Sequence, residues 1–350
     1  MSNSVEQTQK GGSESTNVQA GQVVIHQHAL SYQDVKNIAL DVFKNNFEQL
    51  SAVARETARA RAEEITDKFL QQLEAKNKEG IKKAETPEFQ MSLLTVQKEY
   101  VRTGDRELGA LLVDLLVDIT KGDQRDILQI VLEECLTVAP KLTIGQIASL
   151  AIIFAVRYCQ RRDAISPEKL AEVFSETVNP FVSVASKSIT TFQHLEYSGC
   201  GTAGIGEIKL SEVLAMTYAA VFSRPFKKEE FEAAVPEAVP DGTLIPSTLE
   251  SGKWQFGVNS TENLEEAYKR LGIGNETLKK AIQFWSTRRI GESEIREKAI
   301  EWYPEMRALF DLWDESRMKH FTLTSVGIGI AHAAVRSRTG FDADLSVWIR

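Results

Sequence analysis

The chain has 350 residues, 43% of them hydrophobic and 26% charged, enough for a substantial core and, on length, for two or three domains. Its net charge of -8 and pI near 5.4 disfavour a large nucleic-acid footprint, which is normally a basic face. The late basic pairs Arg288-Arg289 and Arg336/Arg338 have acidic neighbours in Glu292, Asp342 and Asp344. The three cysteines, Cys135, Cys159 and Cys200, are far apart and form no CxxC pair, which excludes a disulfide framework and a thiolate zinc site and suits a reducing cytoplasm.

Residues 1–16 are rich in Ser, Asn, Gln, Gly and Glu, and read as a disordered tail. No basic stretch followed by an apolar run marks a secretory signal. A strand-like patch follows over 17–25: Val18 and Ala20 share one face, Gly21 permits a slip, and Val23 and Ile25 share the next. His26 and His28 alternate beside it, with no carboxylate or cysteine near enough in sequence to complete a metal site. One long helix is expected from about 31 to 76, with Ser31 and Asp34 as a capping-box variant. Its stripe includes Val35, Ile38, Val42, Phe47 and Leu50 and narrows to alanines between Ala54 and Ala62. At about 1.5 Å per residue it would run on the order of 65 Å. We expect residues 17–80 to be an oligomerisation element, with Val18, Val23, Ile25, Val35, Ile38, Val42, Phe47 and Leu50 as its contacts.

Residues 81–197 read as a helical bundle. Thr86-Pro87 opens a helix to about Thr103. Further helices are expected over 106–120, 123–138, 143–162 and 166–192, the last interrupted at Pro180. Character changes at the glycine-dense stretch 198–206, a soft boundary before a C-terminal helical domain (198–350). That portion holds all five tryptophans, a short strand near 254–258, and helices near 211–222, 261–271, 275–285, 292–303 and 304–319. The fold class is mainly α with minor β. The most apolar windows, 142–158 and 321–335, are shorter than the roughly 20 residues a spanning helix needs, and read as buried core helices.

Gly199-x-Gly201-x-x-Gly204 matches the dinucleotide pattern on paper, but no βαβ unit surrounds it, so a flexible or ligand-facing loop is favoured and no cofactor is expected. Asp114 and Asp118 share a helix face, as acid–base or metal chemistry requires. With Glu107, Lys121 and Arg125 on that face, a solvated charged stripe is the economical reading. His332, in an apolar segment, reads as a satisfied core histidine. Gly327, Gly329, Ala331, Ala333 and Ala334 suit a tightly packed final helix.

Several segments resemble an uncharacterised bacterial family: Asn17-Val-Gln-Ala-Gly21, the stretch Leu30-Ser-Tyr-Gln-Asp-Val-Lys-Asn-Ile-Ala-Leu-Asp-Val-Phe-Lys-Asn-Asn-Phe47, Ala58-Arg-Ala-Arg-Ala-Glu-Glu64, the 127–142 run and Leu323-Thr-Ser-Val-Gly-Ile-Gly-Ile-Ala-His332. The strand patch also resembles, more weakly, short motifs that precede effector domains in bacterial defence and signalling proteins, which implies a role in conflict systems. The expected function is a cytoplasmic, non-enzymatic, self-associating sensor or adaptor with a protein partner; nucleic-acid and membrane partners are disfavoured. The alternatives are a hydrolase or nuclease with a carboxylate site at Asp114/Asp118, and a membrane-perturbing effector.

Overall fold

The structure, a computed structural model, describes residues 31–46, 52–122, 124–236 and 243–350. It is mainly helical, with two small antiparallel sheets of two strands each. The helices up to the glycine-dense stretch are α1 (Tyr32–Asn46), α2 (Ala52–Lys76), α3 (Pro87–Thr103), α4 (Arg106–Ile119), α5 (Ile127–Val138), α6 (Ile144–Arg157), α7 (Pro167–Thr177), α8 (Asn179–Val182) and α9 (Ile189–Tyr197). Strand β1 (Gly201–Ala203), α10 (Leu210–Thr217), α11 (Lys228–Ala234), β2 (Leu244–Pro246) and β3 (Trp254–Phe256) follow. Then come α12 (Thr261–Arg270), α13 (Asn275–Ser286), α14 (Glu292–Trp302), α15 (Met306–Glu315), β4 (Phe321–Leu323) and α16 (Ser325–Thr339).

Local capping chemistry sets many of the starts. Ser31 and Asp34 exchange hydrogen bonds of 2.9 and 3.2 Å. The Thr86 hydroxyl accepts from Phe89 with Pro87 at the first helical position, and Thr143 and Gln146 form a full capping box. The helix expected from 123 begins instead at Ile127, because the Asp126 carboxylate caps Gln129 at 2.8 Å.

The single long helix expected over 31–76 is two helices, α1 and α2, packed antiparallel. At one end of the hairpin the Tyr32 hydroxyl and the Lys36 ammonium both reach Asp67, at 3.2 and 2.6 Å. At the other, Phe43 packs with Ala58, Ala62 and Val101. The alanine-narrowed stretch is therefore where the chain's own α1 approaches. Folding back lets Val35 and Ala39 bury themselves against Ile65 and Phe69, which one straight helix would leave waiting for another molecule. Of the expected oligomerisation contacts, Val35 is buried in its own chain. Ile38 and Val42 are half-buried and line a crevice with Phe89 and Leu93 of α3. Val18, Val23, Ile25, Phe47 and Leu50 lie outside the described residues.

Helix α16 is the centre of the body. It is buried without a break from Gly327 to Val335 and packs on α4, α5 and α6, the condition that makes an all-apolar helix stable in water. The first apolar window is thus a core helix, the second is strand β4 followed by the buried part of α16, and no described helix is long and apolar enough to cross a membrane. The small residues are required by contact. A Cβ on Gly327 would lie 1.8 Å from the carbonyl oxygen of Cys200, and one on Gly329 2.7 Å from the Cys135 sulfur.

One large hydrophobic cluster runs from Val35 in α1 to Ile349, passing through Leu195, Cys200 and Leu210, so it crosses the soft boundary at 198–206. A second, smaller cluster contains Phe226, Phe231, Phe256, Leu264, Tyr268, Phe284 and Trp285. The tryptophans divide between them: Trp313 is in the large cluster with Trp302 and Trp348 packed against it, while Trp285 and Trp254 belong with the small one. The small module's entry and exit are paired. Arg224 donates to the Arg288 carbonyl at 2.8 Å, and Ser223 bridges Arg289. Buried amides dock it on the body: Gln255 donates to Ile165 O at 2.8 Å and Asn259 to Arg161 O at 3.1 Å.

Gly327→Ala is expected to destabilise the protein by at least about 2–3 kcal/mol, because backbone must shift to admit the methyl. Gly206→Ala, where added carbon meets nothing within 4 Å, serves as the control. Denaturant midpoints for the two variants check this, and equal midpoints would contradict the packing described.

Candidate functional site

The concentration of charge inside the body lies at the seam between α4 and α16. Asp114 and Asp118 are one turn apart on α4 and are buried, at 1% and 8% exposure. Arg336, in the last turn of α16, reaches them. Its Nη1 donates to Asp118 Oδ1 at 3.1 Å and its Nη2 to the Asp114 carbonyl at 3.0 Å, while Nη2 lies 2.8 Å from Asp118 Oδ2 as an ion-pair contact; Asp118 Oδ2 and Arg336 Nε have no hydrogen-bond partner among the described residues. Lys76, from the end of α2, pairs with Asp114 at 2.7 Å, and Lys121 with Asp118 at 2.9 Å. The expected solvated stripe is therefore corrected: the partner that buries it, Arg336, is on a helix far away in sequence. Of the other residues placed on that stripe, Glu107 pairs with Arg338 at the surface.

Burial works against the charged guanidinium of Arg336, but the hydrogen bond and charge of Asp118, and then the charge of Asp114, outweigh it and raise its pKa. Four residues earlier on α16, His332 is fully buried among Phe154, Phe341 and Trp348. Its Nε2 donates to the Ala343 carbonyl at 2.7 Å, which fixes the tautomer, and Nδ1 has no partner among the described residues. Burial lowers its pKa, and the Arg336 charge adds to that effect. The core-histidine reading is thus met at one ring nitrogen.

Cavities flank the seam. One of about 240 Å³ opens between α4, α6, α8 and α16, with Leu111, Ile147 and Phe181 in its wall and the Arg338–Glu107 ion pair at its rim. Another, of about 130 Å³, lies at the other end, bounded by Asp118, Lys121, Gln129 and Asp344. Two carboxylates facing three cations form a neutralised latch, without a carboxylate held apart as a general base. Among the described residues no group of three or more His, Cys, Asp or Glu is arranged to hold a metal ion.

The remaining candidates fall elsewhere. Gly201 is in β1, paired antiparallel with β4 (Gly201↔Leu323, Ala203↔Phe321), and a Cβ there would strike the Phe321 ring at 2.2 Å. Gly201 thus serves close strand packing, and the pattern lacks the parallel strand-to-helix setting that holds a dinucleotide. Burial pushes the thiols of Cys159 and Cys200 up to about 12 and that of Cys135 higher still, so none is a thiolate at neutral pH. His26 and His28 lie outside the described residues.

The fold and the seam define a helical protein assembled around one buried small-residue helix. A family model for an uncharacterised family matches residues 29–349, and the chain belongs to that family. The Asn17–Gly21 motif precedes the matched residues. No curated protein and no solved structure matches the chain.

Two outcomes follow. Arg336→Met removes the most buried of the three cations, leaves Asp114 and Asp118 only the half-exposed Lys76 and Lys121, and is expected to cost about 3–5 kcal/mol. Lys121→Met removes a cation that is 41% exposed and should cost less than about 1 kcal/mol. Urea unfolding at constant slope reads both, and equal losses would contradict the latch. For His332 the folded pKa is depressed. As pH falls below the unfolded value of about 6.5, the unfolded chain takes up a proton that the folded chain refuses, and stability declines. His332→Gln should therefore weaken the loss of stability between about pH 7.5 and pH 5; an unchanged pH dependence would show that His332 does not titrate as its surroundings dictate.

Proposed function

We propose that this protein is a non-enzymatic, self-associating sensor or adaptor that works through protein partners, in a bacterial defence or signalling setting. The observation that carries the reading is the latch: the carboxylates best placed for acid–base chemistry, Asp114 and Asp118, lie between Lys76, Arg336 and Lys121 and hold α16 to α4. That argues for a scaffold role over a hydrolase at these residues. The burial of α6 and α16 in the shared core likewise argues against their release into a membrane.

Self-association is assigned to the strand patch at 17–25. The apolar face of α1 is already engaged with α2 and α3. A lone strand has unpaired edges and is stabilised by pairing with a second copy. The expected outcome is a multiple of the 39.1 kDa chain mass by light scattering at micromolar concentration, reduced to the monomer by Val23→Asp with Ile25→Asp. A monomeric wild type, or an assembly that both aspartates leave intact, sinks the proposal.

A further inference from the structure

The cavity between α4, α6, α8 and α16 exists because small side chains meet in it. Ala110 of α4, Ala148 of α6 and Ala334 of α16 all line it, with Leu111, Ile147 and Phe181 completing an apolar wall. Leucine at any one of the alanines would occupy part of the space. Water is held poorly against such a wall, because each water needs two to four polar partners and alkyl and aromatic groups supply none. An apolar cavity of about 150 Å³ already accepts benzene, and this one, at about 240 Å³, has room for a ring carrying a short substituent.

The polar groups at the rim are all engaged. Arg338 donates to Glu107 and, at 3.2 Å, to the Pro180 carbonyl, and its guanidinium lies 5.3 Å from the centre of the Phe181 ring. Asp105 caps α4, accepting from the backbone of Glu107 at 2.9 Å and of Leu108 at 3.1 Å. Arg106 is turned outward, 81% exposed, with Glu64 at 3.9 Å. Ser337 gives its hydroxyl proton back to the Ala334 carbonyl at 3.0 Å. Two arginines and two carboxylates thus leave the mouth without a net charge, and a charged ligand would give up its hydration for a wall that offers no partner.

We propose that this cavity binds one small uncharged aromatic molecule, and that the Glu107–Arg338 ion pair at its rim turns charged analogues away. A ring is favoured over an alkyl chain of equal volume because it has no internal rotations to lose and can meet Phe181 edge to face. The site lies between α4 and α16, the helices joined by the latch, so an occupant adds contacts across that seam. It does not depend on self-association of the chain.

Ligand-observed NMR with the full chain tests this, using toluene, benzoate and benzylammonium, three probes of similar shape and different charge. Toluene should bind and raise the melting temperature, as a ligand selective for the folded state does. Benzoate and benzylammonium should each bind at least about tenfold more weakly, for want of a partner for their charge. Glu107→Gln leaves Arg338 without its carboxylate and should strengthen benzoate at least about tenfold while benzylammonium stays excluded. A misfolded variant does not produce that gain. Ala110→Leu and Ala148→Leu, which fill the space from two different helices, should each abolish toluene binding while keeping a cooperative urea transition. The proposal is overturned by a wild type that does not bind toluene, by equal binding of the three probes, by toluene binding that survives both alanine substitutions, or by a Glu107→Gln variant that still excludes benzoate. Loss of toluene binding as protein concentration rises would also overturn it, since a side chain of a second copy would then be the occupant.

Discussion

Nine consecutive residues of α16, Gly327 to Val335, are covered on every side, and that stretch sets the constraint for the whole body. Each of its contacts fixes one neighbour. Gly327 admits the Cys200 carbonyl and so places the β1–β4 pair, while Gly329 admits the Cys135 side chain of α5. His332 ties the chain's final segment through Ala343, and Arg336 ties α4 through Asp118 and Asp114. Along one helix the body receives its spacing from glycines and its register from two polar groups.

The latch defines a register more than it adds stability. Taking a guanidinium and two carboxylates out of water costs several kcal/mol per ion, which their mutual attraction repays only with good geometry and further hydrogen bonds. Arg336 meets that condition only in part, with hydrogen bonds to Asp118 Oδ1 and to the Asp114 carbonyl, while its Nε and Asp118 Oδ2 have no hydrogen-bond partner among the described residues. Lys76 and Lys121, half in water, complete the neutralisation at little cost in solvation. An apolar helix turned or slid by one residue could still bury its surface. It could not do so with Arg336 facing leucines and two carboxylates left unpaired, so the ionic contact excludes packings that hydrophobic burial alone tolerates.

What was legible in the sequence was local. Thr86-Pro87, Thr143 with Gln146, and Ser31 with Asp34 announce helix starts because a cap is a matter of two or three residues, and Gly327 with Gly329 announce close packing because small side chains serve little else there. The latch was not legible. A helical wheel of α4 puts Asp114 and Asp118 on one face, but their cover comes from Arg336, 218 positions from Asp118. The α1–α2 hairpin was missed for a related reason. The apolar stripe continues in sequence through residues 47–51 with no proline or glycine to mark a break, and the pairing of Tyr32 and Lys36 with Asp67 reveals the reversal of α2 against α1. The three-residue strands β1 and β4 lie too far apart in sequence for either to signal the other.

The small module shows the same limit in electrostatic form. Net charge is a sum over the chain, whereas a binding surface responds to the field within about 8–10 Å at ordinary ionic strength. Because Phe222 and Ile290 sit side by side, joined by a backbone hydrogen bond of 3.4 Å, the segment between them is a closed excursion with its own aromatic core. The body's helices continue from α10 to α14 as neighbours. Such an insertion is free to carry a charge balance unrelated to that of its host, since the two share buried amide contacts at Gln255 and Asn259 but keep separate hydrophobic clusters. Helices α12 and α13 together carry four carboxylates and four cations, so this helix pair is neutral in a chain of net charge -8, and the whole-chain pI does not describe its surface.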